Sequence, residues 1–148
     1  YYISNSSLTY LNFLEYLDLQ NNKINDLDKR SFNDLINLKF LFLGFNKIKI
    51  LHEFLFENLY NLTQLNLNQN QISKIHYRSF KNLNKLQILN LEDNCLFRLE
   101  KGIFDFNYQL NYINLAINVL KTIKIYYFKR LYSLKSLNLS FNSLIDLE

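Results

Sequence analysis

Leu62-Thr63-Gln64-Leu65-Asn66-Leu67-Asn68-Gln69-Asn70 is the stretch that decides the fold of this chain. Its leucines stand three and then two residues apart, which keeps no single helical face, because a helix repeats at three and four. Leu65 and Leu67 alternate with Gln64, Asn66 and Asn68, and period two is a strand with one buried face. Asn70 follows, a side chain suited to bonding backbone groups in a turn.

The stretch recurs along the whole chain. Its first leucine falls at Leu14, Leu38, Leu62, Leu86, Leu110 and Leu134, in steps of 24 residues. The second column is Leu17, Leu41, Leu65, Leu89, Ile113 and Leu137, and the third is Leu19, Leu43, Leu67, Leu91, Leu115 and Leu139. The asparagine column is Asn22, Asn46, Asn70, Asn94, Asn118 and Asn142. Such self-similarity marks a stack of like units. The second half of each unit is as regular. Ile24, Ile48, Ile72, Leu96, Leu120 and Leu144 come first, then Leu27, Leu51, Ile75, Leu99, Ile123 and Leu147. A phenylalanine column follows at Phe32, Phe56, Phe80, Phe104 and Phe128. The last column, Leu35, Leu59, Leu83 and Leu131, is broken once by Asn107. Ile3, Leu8 and Leu11 keep the same frame at the head of the chain.

The unit LxxLxLxxNxIxxLxxxxFxxLxx resembles the leucine-rich repeat, in its 24-residue typical class, over essentially all 148 residues. Plant receptor-kinase repeats carry a Gly-x-Ile-Pro signature, whereas this chain has no proline. The resemblance implies an α/β fold: a right-handed horseshoe solenoid with one short strand per coil. The strands would form a parallel concave sheet, with loops or short helical turns on the convex side. The chain then reads as one array, 1–148. It has a partial repeat at 1–13, repeats starting at 14, 38, 62, 86 and 110, and a partial repeat at 134–148.

One coil cannot bury its own leucines, but coils stacked about 4.8 Å apart merge them into a continuous core. The asparagine column, Asn22 to Asn142, is expected to be a structural ladder bonding backbone groups of its own and the next coil. An unpaired buried amide would cost about 1–3 kcal/mol. The phenylalanines are expected to stack as a convex spine. Asn107 is expected to be a soft spot, turned outward or leaving a small gap. Where the family often has proline after the second core leucine of the turn, this chain has Asp28, His52, His76, Glu100 and Lys124.

Hydrophobic content of 49% supports a full core. The chain opens in mid-unit, shows no polar end cap and stops at Glu148. It therefore reads as a fragment of a longer protein, and the lack of a signal peptide or spanning segment says nothing of location. The net charge of +4 comes from scattered Lys and Arg with acids among them, which makes a nucleic-acid partner unlikely. The lone Cys95 allows no disulfide within the chain and leaves the redox compartment open.

Outward sheet residues have no core duty, so exposed aromatics among them are informative. The candidate partner-binding residues on the concave face are Tyr16, Asp18, Phe40, Phe42, Phe45, Gln64, Ile88, Asn90, Tyr112 and Asn114. The first four aromatics cluster on the first two coils, as interaction hot spots do. The plain alternative is chance, since aromatics make up 16% of the chain. The Asn66, Asn90 and Asn114 column reads equally as a hydrogen-bonded ladder between strands. His52 and His76 share a slot in successive coils, which would stack them about 5 Å apart with Asp28 and Glu100 on either side. That gives two nitrogen ligands at most, and no metal site is expected. Candidate glycosylation sites are Asn5, Asn61 and Asn138, each in an Asn-x-Ser/Thr sequon. No catalytic constellation and no cofactor motif appear.

By the resemblance, the expected function is non-catalytic protein binding. Toll-type receptors, small proteoglycans, axon-guidance proteins and insect immune repeat proteins carry such repeats. The expectation is an extracellular glycoprotein or receptor ectodomain that recognises a protein ligand or co-receptor on its concave face, with a narrower reading in innate immunity and signal transduction. A membrane would be reached only through regions outside these residues. The alternative is a cytoplasmic scaffold or a microbial effector segment, favoured by the single cysteine and the missing prolines.

Overall fold

The computed structural model describes residues 2–4 and 7–147. Six strands, Tyr16–Asp18, Phe40–Phe42, Gln64–Asn66, Ile88–Asn90, Tyr112–Asn114 and Ser136–Asn138, pair in chain order into one parallel sheet. Every partner is 24 residues away: Leu17 faces Leu41, Leu41 faces Leu65, and Leu65 faces Leu89. The hydrogen-bond register is thus the sequence period itself. A slip of one residue would turn each leucine row outward, so the buried face fixes it.

A second set of two-residue strands runs on the opposite side of the coils. Tyr2–Ile3 pairs with Asp26–Leu27, Ile50–Leu51 with Lys74–Ile75, and Thr122–Ile123 with Asp146–Leu147. Among the described residues the only helical element is a 3₁₀ turn at Ile125–Tyr127. The expected helical turns of the convex side reduce to that one, and the remainder is turn and loop.

The core lies between the two strand sets. Leu41, Leu65, Leu89 and Ile113 are fully buried, and each contributes about 1.5–3 kcal/mol relative to exposure. In the outermost coils Leu17 and Leu137 are only half-buried. Phe32, Phe56, Phe80, Phe104 and Phe128 stack as a continuous spine. Successive ring centroids are 5.9, 6.3, 6.3 and 6.1 Å apart, and the planes lie within 23° of each other.

The asparagine ladder carries the polar side of the stack. Asn70 donates its amide to the carbonyls of Leu67 and Asn68 in its own coil and of Leu43 in the coil before. Its Oδ1 accepts the backbone N–H of Ile48 at 3.0 Å. Asn46, Asn94, Asn118 and Asn142 repeat the pattern. The inter-coil bonds thus run to the preceding coil. Asn22 is exposed and bonds only Leu19 and Gln20 among the described residues.

Asn107 departs from expectation. It does not turn outward, and it is 1% exposed. Its amide donates to the carbonyls of Phe80 and Leu83 in the preceding coil, at 2.9 and 3.1 Å. Its Oδ1 is buried without a partner. Among the described residues no helix is long and apolar enough to cross a membrane.

Candidate functional site

Strand alternation sends Leu17 and Leu41 inward and Tyr16, Asp18, Phe40 and Phe42 to the concave face. Tyr16 is 54% exposed and Phe40 36%. The Tyr16 ring centroid lies 5.3 Å from that of Phe42 and 6.3 Å from that of Phe40, both tilted. These rings fill no core, and they form one apolar platform at one end of the sheet. Further along the same column Gln64, Ile88 and Tyr112 follow in register, each half-buried by its neighbours.

The second column does not form a ladder between strands. Each polar member accepts the backbone N–H two residues on. The bonds are Gln20 to Asp18 at 2.9 Å, Asn68 to Asn66 at 3.1 Å, Glu92 to Asn90 at 3.0 Å and Ala116 to Asn114 at 3.1 Å. This is the Asx turn, closing the strand end. Asn114 also donates to Glu92 Oε2 at 3.1 Å and is only 5% exposed. Its amide therefore braces the sheet and leaves little for a partner to touch, against the expectation for that residue. Asn90, half-buried, keeps part of its side chain on the face. Phe42 replaces the Asx residue in its coil, and Gly44 follows it. A Cβ on Gly44 would overlap Asn68 Oδ1 and come within 3.2 Å of Gln20 Oε1, so a larger residue there would have to push those side-chain ends aside.

Asn21, Phe45, Gln69, Asp93, Ile117 and Phe141 read from sequence as a further outward column. All six instead hold φ between 49° and 56°, the left-handed region. Here the chain leaves the strand and turns toward the ladder asparagine. Asn and Asp tolerate this conformation, whereas Phe45, Ile117 and Phe141 do so at a cost. No sequence signal marks those three. Phe45 remains 43% exposed, at the rim of the aromatic platform.

Charge is segregated. The chain carries +4 overall. The concave columns contain Asp18, Glu92 and Asp93 and no Lys or Arg. Contacts to a phosphate backbone come largely from Lys and Arg, so this face suits apolar and cationic groups.

The remaining candidates scatter. His52 Nε2 lies 3.8 Å from Asp26 and His76 Nε2 4.0 Å from Glu53, so each histidine faces an acid and not its fellow. The acids expected on either side are engaged elsewhere. Asp28 accepts the Tyr2 hydroxyl at 2.9 Å, and Glu100 accepts the Tyr77 N–H at 3.2 Å. Among the described residues no group of three or more His, Cys, Asp and Glu is placed to hold a metal. Cys95 is free and exposed. Asn61 donates to the Ile36 carbonyl and accepts Lys85 Nζ, bonds that a glycan on Nδ2 would disturb. Asn138 sits on the concave sheet with its carbonyl bound by Ser140. Asn5 lies outside the described residues.

The sequence pattern of the family described as "Leucine rich repeat" matches residues 3–48, 41–96 and 86–144. No curated protein sequence matches the chain. Two solved structures superpose on nearly all of it. One is that of the TLR13-ssRNA13 complex, with TM-score 0.87 and 29% identity over 97% of this chain. The other is the leucine-rich repeat domain of APL1B, with TM-score 0.87 and 23% identity over 99% of this chain. The chain spans 23% of the first and 41% of the second.

Proposed function

The chain belongs to the leucine-rich repeat family, and we propose that it is a non-catalytic recognition module gripping a protein partner on the aromatic end of its concave sheet. The observation that carries this is the Tyr16, Phe40 and Phe42 cluster, with rings 5.3 and 6.3 Å apart on a surface that needs no apolar residues to fold. Phe45 extends it at the rim, and Asp18 sets a carboxylate beside it, so the fitting partner presents an apolar side chain next to Lys or Arg. Gln64, Ile88, Asn90 and Tyr112 continue the surface along the sheet. We place the module outside the cell, in a receptor or secreted protein of innate immunity. The likeness to TLR13 and APL1B supports that setting.

The test is a display screen of the chain against secreted proteins. A specific partner should lose binding to Phe42→Asp and to Tyr16→Ala, while Phe97→Ala on the opposite flank leaves it unchanged. A partner that binds all three variants equally would remove the platform from the site.

A further inference from the structure

The second row of strands consists of three separate pairs: Asp26–Leu27 and Ile50–Leu51 do not pair with each other, and the fourth coil contributes no strand at all. Leu99 occupies the slot of Leu27, Leu51, Ile75 and Ile123, yet residues 98–99 pair with neither neighbouring coil. At two other places on this flank the bond is made: Ser73 N–H donates to the Lys49 carbonyl, and Ile145 N–H to that of Lys121, both at 3.0 Å. The equivalent bonds from Phe97 to Ser73 and from Lys121 to Phe97 are not made. Among the described residues the backbone N–H groups of residues 97–101 donate to nothing within the chain. A groove of about 510 Å³ opens beside this segment.

The groove is basic. Arg98, Lys101, Lys121 and Lys124 line it, with Glu100 as the one acid. Glu100 is engaged by the Tyr77 N–H of the preceding coil. Arg98, Lys101 and Lys121 pair with no carboxylate among the described residues. The Arg98 guanidinium rests over the Phe97 ring, 5.3 Å from its centroid, which limits the positions it samples. Clustered cations beside uncommitted backbone donors match what an oxyanion needs. Guanidinium binds two oxygens at once, ammonium supplies charge, and backbone N–H groups complete the shell.

We propose that this groove binds a small ligand carrying several phosphate or sulfate groups, held by Arg98, Lys101 and Lys121 and by the backbone of residues 97–101. The site lies on the flank away from the concave sheet, so the two are separable.

Two probes test it by calorimetric titration: inorganic tripolyphosphate and sucrose octasulfate. At least one should bind, with affinity that falls as salt rises. The combined Arg98→Ala and Lys121→Ala variant should bind about tenfold or more weakly, as expected for charge-assisted hydrogen bonds. The Lys29→Ala and Arg30→Ala pair, cations of another coil, should leave affinity unchanged. Binding of tripolyphosphate alone names a phosphate ligand, and binding of octasulfate alone a sulfated one. No binding of either probe, or equal loss in both double variants, would overturn the site and leave the lysines as solvated surface.

Discussion

Asn107 reaches across one coil to donate its side-chain amide to the Phe80 carbonyl at 2.9 Å, from a slot that is leucine in the other coils. The Phe80 carbonyl already accepts the Leu83 N–H, and the Leu83 carbonyl the Leu86 N–H. The asparagine therefore adds second bonds to satisfied acceptors, while its own Oδ1 is left buried and unpaired. Asn107→Leu removes that orphan and restores apolar packing. It is expected to be neutral or stabilising by about 1 kcal/mol in urea unfolding. A loss above about 1 kcal/mol would show that the amide bonds outweigh the orphan.

Asn70 is the opposite case. Its Oδ1 is what satisfies the Ile48 N–H at 3.0 Å, and its amide holds three carbonyls. Asn70→Ala leaves these groups buried without it, and should cost at least about 2 kcal/mol. Asn22→Ala, at an exposed position, should cost much less. Equal losses at both positions would contradict the ladder as the origin of the effect.

Ile117 holds φ 53° with a β-branched side chain that is 43% exposed. More than half of its surface is covered, so some packing is lost on replacing it, but asparagine tolerates the left-handed region that a β-branched residue disfavours. Ile117→Asn should raise stability by about 1 kcal/mol, read from the denaturation midpoint. A lower midpoint would mean that the exposed isoleucine contributes more by packing than it loses by strain.

Tyr127 gives the alkaline limb a sign. Burial raises its hydroxyl above the ordinary 10.0, with the Tyr126 hydrogen bond adding to the rise, while Lys124 and Arg98 pull it down. The folded state therefore holds this proton more tightly than the unfolded state. The associated stability is complete below the unfolded value and declines as pH rises through the raised folded one. Unfolding measured across that interval should show a shallower decline in Tyr127→Phe than in the parent. Parallel curves would place the alkaline loss elsewhere, for instance at Tyr2, raised by its bond to Asp28.

The period of 24, the leucine rows, the stacked phenylalanines and the ladder asparagines were legible because each is a local choice repeated until only one register buries all of them. In that sense the sequence alone determined the solenoid and which strand residues face outward. It also pointed to Tyr16, Phe40 and Phe42, since alternation assigns a side to each. What the tertiary structure decided concerns backbone groups of the neighbouring coil. Asn107 turns inward because carbonyls of Phe80 and Leu83 lie within its reach. Asn114 is withdrawn from the face because Glu92 of the preceding coil accepts its amide. Phe45, Ile117 and Phe141 enter the left-handed turn because the ladder bond that follows requires it, whatever their propensity. The second strand row breaks between Asp26–Leu27 and Ile50–Leu51 and again at residues 98–99, although the columns continue through both places unbroken. Side-chain periodicity reports which residues are buried, whereas the pairing of each N–H and C=O depends on where the next coil comes to rest.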